Sequence, residues 1–153
     1  MLNDSHFNNC SAPYVVQDWK GRLPTLLIID DEPGVRRSLE LIASTDGWQA
    51  LSCDQFADVV RIIHEKAIDV VVCDYQMPPV TGIQIIRQIR AAGLSQPVVM
   101  ITANPDNVDH QIARELKVQE ILRKPPNVKD VRTVLAGALA QGNGGNNLRQ
   151  AAE

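Results

Sequence analysis

The chain has 153 residues and a formal net charge of −3, which suits one domain plus tails and shows no basic excess to mark a nucleic-acid surface. Its 44% hydrophobic content supports a packed core and argues against disorder, while no apolar run approaches the roughly 18 residues of a membrane span. The N-terminus lacks the basic-then-apolar segment of a signal peptide, and Cys10, Cys53 and Cys73 are too scattered for a disulfide framework or a zinc site, a usage that fits a reducing cytosol.

Residues 1–23 are polar and aperiodic and read as a flexible extension. The first apolar run, Leu26-Leu27-Ile28-Ile29, reads as a strand and ends on Asp30-Asp31. Pro33 suits a first helical position; Val35, Leu39, Ile42 and Ala43 then share a helix face, with Gly47 as the stop. Trp48–Cys53 is a short strand of weak alternation, and Asp54 is placed to cap a helix carrying Phe56, Val59, Val60 and Ile63. The strand Ile68–Cys73 ends on Asp74 and a loop, Tyr75-Gln76-Met77-Pro78-Pro79. A third helix carries Ile83, Ile85, Ile86 and Ile89 and stops near Gly93. The strand Val98–Ile101 ends on Thr102, and Asp106 is placed to cap a helix with Ile112, Ala113 and Leu116. A short fifth strand around Glu120–Leu122 runs through Arg123 into Lys124-Pro125. Asn127 then caps a last helix with Val128, Val131, Leu135 and Ala138 on one face. From about residue 141, Gln-Gly-Asn-Gly-Gly-Asn-Asn reads as a flexible tail or the start of a linker, so the folded part spans 24–140.

Strand and helix alternate five times, which predicts an α/β fold: a parallel sheet with helices on both faces. Parallel strands all end on one side, and active sites of open α/β sheets lie at those carboxyl ends. Asp30, Asp31, Asp74, Thr102 and Lys124 should therefore converge. Each alone has an ordinary reading: acidic residues favour helix N-termini, Asp opens turns, and Thr is common in strands. Together they form a more specific set. Hard carboxylate oxygens suit Mg²⁺, which keeps several waters and uses one or two carboxylates. A lysine among acids balances charge and can hold a phosphoryl oxygen, and a hydroxyl can donate one hydrogen bond to an anion. A metal and a lysine around an aspartate are what phosphoryl transfer to a carboxylate requires.

Asp30-Asp31, Asp74-x-x-Met77-Pro78 with Gly82 beyond, Thr102-Ala103 and Lys124-Pro125 resemble the receiver domain of bacterial two-component response regulators, over about residues 24–140. The resemblance implies a flavodoxin-like (βα)₅ fold with strand order 2-1-3-4-5. It implies Asp74 as the phosphoacceptor, supplied by a sensor histidine kinase or a phosphotransfer protein. Asp31, Asp74 and the Gln76 backbone carbonyl would ligate Mg²⁺, with Asp30 acting through a bound water. Lys124 would pair with the phosphoryl group, and Thr102 would move toward it and bias a two-state surface. That surface, built from the fourth helix, fifth strand and fifth helix (about 106–140), is the expected partner or dimer face. The resemblance also makes Lys124-Pro125 a candidate cis peptide.

The pattern departs at Ile121, where receivers often carry a Tyr or Phe that swings inward. Gln76 and Asn104 stand where the family varies, and both are neutral amides. His6, His64 and His110 have no partner motif, and no P-loop occurs. Two other functions compete with a phosphorylated signalling module. A haloacid-dehalogenase-like phosphatase or phosphotransferase would place a second acid two residues after its nucleophile, and Asp30-x-Glu32 is a poor match. A pseudo-receiver that only binds partners would not need the full set of site residues.

Overall fold

Residues of each central strand are buried without alternation because helices cover both faces of the sheet. The computed structural model describes residues 21–150, with side chains through 142; His6, Cys10 and nearly all of the expected N-terminal extension lie outside the described residues. The first elements are β1 (Thr25–Ile29), α1 (Pro33–Thr45), β2 (Gln49–Cys53), α2 (Val59–Glu65) and β3 (Val70–Asp74). Two short strands, β4 (Gln76–Met77) and β5 (Val80–Thr81), follow, then α3 (Gly82–Ala91), β6 (Val98–Thr102), α4 (His110–Glu115), β7 (Val118–Arg123) and α5 (Val128–Gln150).

The main sheet runs β2-β1-β3-β6-β7, parallel throughout. With the small β4–β5 ribbon set aside, this is the expected order 2-1-3-4-5. Side chains alternate between two cores, as the two-residue period of a strand demands. Leu27, Ile29, Val71, Cys73 and Met100 pack with Val59, Ile63, Ile86, Ile89 and Ala113 of α2, α3 and α4. Leu26, Ile28, Val70, Val72, Val99 and Ile101 pack with Leu39, Ala43, Val131 and Leu135 of α1 and α5. Each fully buried Leu, Ile or Val contributes about 1.5–3 kcal/mol relative to exposure, so the sheet ends rest on rigid supports.

Helix stops fall where expected: Gly47 and Gly93 adopt φ of +84° and +79°, in the left-handed region. Asn127 caps α5, its Oδ1 accepting from Asp130 N at 2.8 Å. Two predicted caps are corrected. Asp54 makes no cap, because a 3₁₀ turn at Phe56–Asp58 opens α2. Asp109, not Asp106, caps α4 by accepting from Ile112 N at 3.0 Å. There Pro105–Asn107 form a 3₁₀ turn and Val108, 4% exposed, is drawn into the core before the helix begins. The expected loop after Asp74 holds the antiparallel β4–β5 ribbon, with Gln76 opposite Thr81. Helix α5 continues past the expected end of the folded part at 140 to Gln150. A formed helix extends at one hydrogen bond per residue fixed, and Gly142 lies against Pro97. Among the described residues, no helix is long and apolar enough to cross a membrane.

Candidate functional site

Register brings the expected residues to one edge. Ile29 pairs with Cys73, and Asp74 pairs with Ile101. Thr102 pairs with Arg123, so Lys124 begins one residue past that pair. Backbone bonds close the rim: Tyr75 N donates to Ile101 O at 2.9 Å and Lys124 N to Thr102 O at 2.8 Å. Both Lys124-Pro125, as the resemblance implied, and Pro78-Pro79 are cis.

At the centre stands the Lys124 ammonium, 11% exposed. Its Nζ lies 2.9 Å from Asp30 Oδ2, 3.0 Å from Glu32 Oε1 and 3.1 Å from Asp74 Oδ2. Asp30 is fully buried and Asp74 only 3% exposed. Buried carboxylates are costly unless a cation offsets them, so Lys124 is what allows both acids to stand side by side. Burial opposes the charge on Lys124, but contacts with Asp30, Glu32 and Asp74 outweigh it and hold the ammonium above its ordinary range. For Asp74, burial raises the carboxyl above its ordinary value. Lys124 opposes this, Asp30 adds to the rise, and the net direction is up.

Local backbone groups aim both acids. Asp30 Oδ1 accepts from Glu32 N at 2.8 Å, and Asp74 Oδ1 accepts from Gln76 N at 3.2 Å. Arg36 of α1 donates to Asp30 O at 2.8 Å, fixing the turn that carries Asp31. Gly82 N donates to Tyr75 O at 2.8 Å, and the α3 start lies so close that a Cβ at Gly82 would sit 3.0 Å from Tyr75 Cα. Only glycine fits there. The helix it opens is fastened by a reciprocal Thr81–Gln84 box: Gln84 N donates to Thr81 Oγ1 at 3.3 Å, and Thr81 N to Gln84 Oε1 at 2.8 Å. Thr102, 2% exposed, accepts from Asn104 N at 3.2 Å through Oγ1, leaving its hydroxyl proton free to be donated elsewhere.

Carboxylate oxygens of Asp30, Asp31, Glu32 and Asp74 all lie within 4.8 Å of one another. Asp30 Oδ2 is buried, and among the described residues the Lys124 ammonium at 2.9 Å is all that faces it. An under-satisfied buried oxygen within a set of hard donors fits Mg²⁺. Beside the acids is an open recess of about 560 Å³, lined by Asp31, Glu32, Gln76 and the Met77–Thr81 ribbon.

The expected residues Asp30, Asp74 and Lys124 meet directly, Asp31 lies in the acidic cluster, and Thr102 and Gln76 are tied to the same rim. Glu32 joins them and was not foreseen as a site residue, because nothing local in its sequence shows that it reaches Lys124. The Thr81-x-x-Gln84 spacing did carry a signal for the box that sets α3. Ile121 is half-buried on β7, packed toward the α2–α4 side. It borders a groove of about 280 Å³ shared with Pro105, His110, Ala113 and Arg114.

Residues 26–136 match the model of the response regulator receiver domain. The chain is 32% identical over 111 residues to the sensor histidine kinase RcsC of Salmonella typhi, covering 72% of this chain and 12% of that protein. It is 27% identical over 116 residues to the transcriptional regulatory protein GlrR of Escherichia coli K12, covering 76% of this chain and 26% of that one. It thus spans only a minor part of these relatives. The crystal structure of a response regulator receiver domain protein from Clostridium thermocellum superposes with a TM-score of 0.72 at 28% identity, covering 79% of this chain and 98% of that one.

Proposed function

The chain belongs to the response regulator receiver domains, and on that premise we propose that it accepts a phosphoryl group on Asp74 from a phosphohistidine of a sensor histidine kinase or phosphotransfer protein. A carboxylate oxygen of Asp74 attacks phosphorus in line. The bond from phosphorus to the donor imidazole breaks, its electron pair stays on the imidazole nitrogen, and an aspartyl phosphate remains. The observation that carries this reading is the pairing of buried Asp74 with Lys124 Nζ at 3.1 Å, inside a cluster of acids at the strand ends. A surface turn would need neither the burial nor the lysine.

Asp31, the Asp74 carboxylate and the Gln76 backbone carbonyl would hold Mg²⁺, with Asp30 acting through a bound water. When bound, the cation neutralises charge on the phosphoryl oxygens. Lys124 pairs with a phosphoryl oxygen, and Thr102 donates its hydroxyl proton to the same group. Asp74 must be ionised to attack, so its raised carboxyl narrows the working range from the acid side. Movement of Thr102 passes to β7 through the Lys124 N–Thr102 O bond. From there it biases the α4–β7–α5 face toward a partner or a second copy, with Ile121 in place of a ring. Slow hydrolysis of the aspartyl phosphate resets the site, no external metabolite is turned over, and the module works in the cytoplasm with its kinase.

The test is incubation with Mg²⁺ and acetyl phosphate. One acid-stable, base-labile phosphate per chain is expected on the wild type and none on Asp74→Asn. Equal labelling of the Asn variant overturns the assignment.

A further inference from the structure

Lys124 has three N–H protons and three carboxylates around them. A phosphoryl oxygen that is to reach this ammonium must displace one of them. Asp30 is held by burial and by Glu32 N, and Asp74 is the acceptor itself. The remaining partner, Glu32, has a side chain 62% exposed against 0% for Asp30 and 4% for Asp74. Its backbone is anchored at both ends, the N–H to Asp30 and the carbonyl to Arg36 N at 3.1 Å. Only its side chain is free to swing, and it opens onto the recess beside Asp31 and Gln76.

We infer that Glu32 is an internal stand-in for the phosphoryl group: its carboxylate occupies the place on Lys124 that an incoming phosphoryl oxygen takes, and phosphorylation proceeds by exchange of the two anions. This rests on the assignment of Asp74 as acceptor. Glu32 is thereby a positioning residue. It keeps Lys124 charged and pre-aimed when no donor is present, and it competes with the donor when one arrives.

The experiment follows phosphorylation by acetyl phosphate at saturating Mg²⁺ in wild type, Glu32→Gln, Glu32→Asp and Asp74→Asn. Loss of a competitor lowers the half-saturating donor concentration by about two- to fivefold, the range set by an exposed ion pair. Glu32→Asp separates occupancy from charge. It keeps the negative charge but is one methylene shorter, so its half-saturation should fall as that of Glu32→Gln does. A half-saturation that falls in the Gln variant alone means a field effect on an anionic donor and overturns the inference. So does an unchanged or higher half-saturation in both variants. Labelling of wild type but not Asp74→Asn shows that the acceptor assignment stands whichever way Glu32 behaves; no labelling of wild type removes both.

Discussion

Lys124→Met removes the ammonium and keeps most of the apolar stem, so the perturbation is one of charge. In the metal-free protein it leaves Asp30, fully buried, and Asp74, 3% exposed, without the cation now 2.9 and 3.1 Å away. Removing one partner from a buried ion pair costs about 3–5 kcal/mol. The Glu32 contact adds little because that carboxylate is mostly in water. At roughly 3–4 °C per kcal/mol for a domain of this size, Tm at pH 7 falls by about 10–20 °C. The assay is thermal unfolding in chelator, repeated with excess Mg²⁺ and at pH 4. Mg²⁺ returns positive charge to the cluster and acid favours the neutral form of Asp74, whose carboxyl burial raises, so either change should shrink the loss. A loss of the same size in all three conditions would mean that packing, not charge, was removed. A loss below about 1 kcal/mol at pH 7, the level of a surface pair, would refute the burial argument outright.

Asp74→Asn should unfold at higher urea than wild type in chelator at pH 7. The Asp74 carboxyl is raised, chiefly by burial, so the folded state favours its neutral form; that stabilisation is present below the unfolded carboxylate value and is lost as pH rises through the folded one. The amide keeps the site neutral, the gain should vanish at low pH, and an Asn variant less stable at pH 7 would contradict the sign. Mg²⁺ at about a hundred times its Kd should stabilise the wild type by about 2.7 kcal/mol, with a much smaller shift in Asp31→Asn as read by Tm. Gly82→Ala should cost about 1–3 kcal/mol by overpacking and slow acetyl phosphate labelling, since its Cβ would press on the backbone of Asp74 and Tyr75. Equal urea midpoints and equal labelling would show that α3 shifts freely.

The central strands were legible because three apolar runs buried on both faces leave little room for another reading, and their ends carried most of the site with them. Asp30, Asp74 and Lys124 needed only the parallel topology to be brought together. What sequence spacing misplaced was the start of two helices. Asp106 and Asp109 are both credible caps, and the choice falls to a 3₁₀ turn set by Pro105 and the burial of Val108. Local patterns cannot rank a tertiary contact of that kind. Glu32 was invisible for the same reason. Its role depends on a lysine 92 positions away, while its sequence neighbours mark it only as the residue before Pro33.

The register of β7 explains why chemistry and readout share one strand. Between Val118 and Glu120 the pairing with β6 shifts by one residue, and beyond that point Ile121 faces Met100 while Leu122 faces Ile101. A shift of one residue exchanges the two faces of a strand. With this register Ile121 belongs to the core shared with α4, and Leu122 belongs to the core shared with α5. Lys124 then leaves the same strand beside Thr102. A displacement at the Thr102–Lys124 bond would therefore reach both helices of the outer face without passing through any ring. Ile121 has one stiff branched side chain and no polar tip, so it can translate with the strand but cannot exchange a buried hydroxyl for an exposed one.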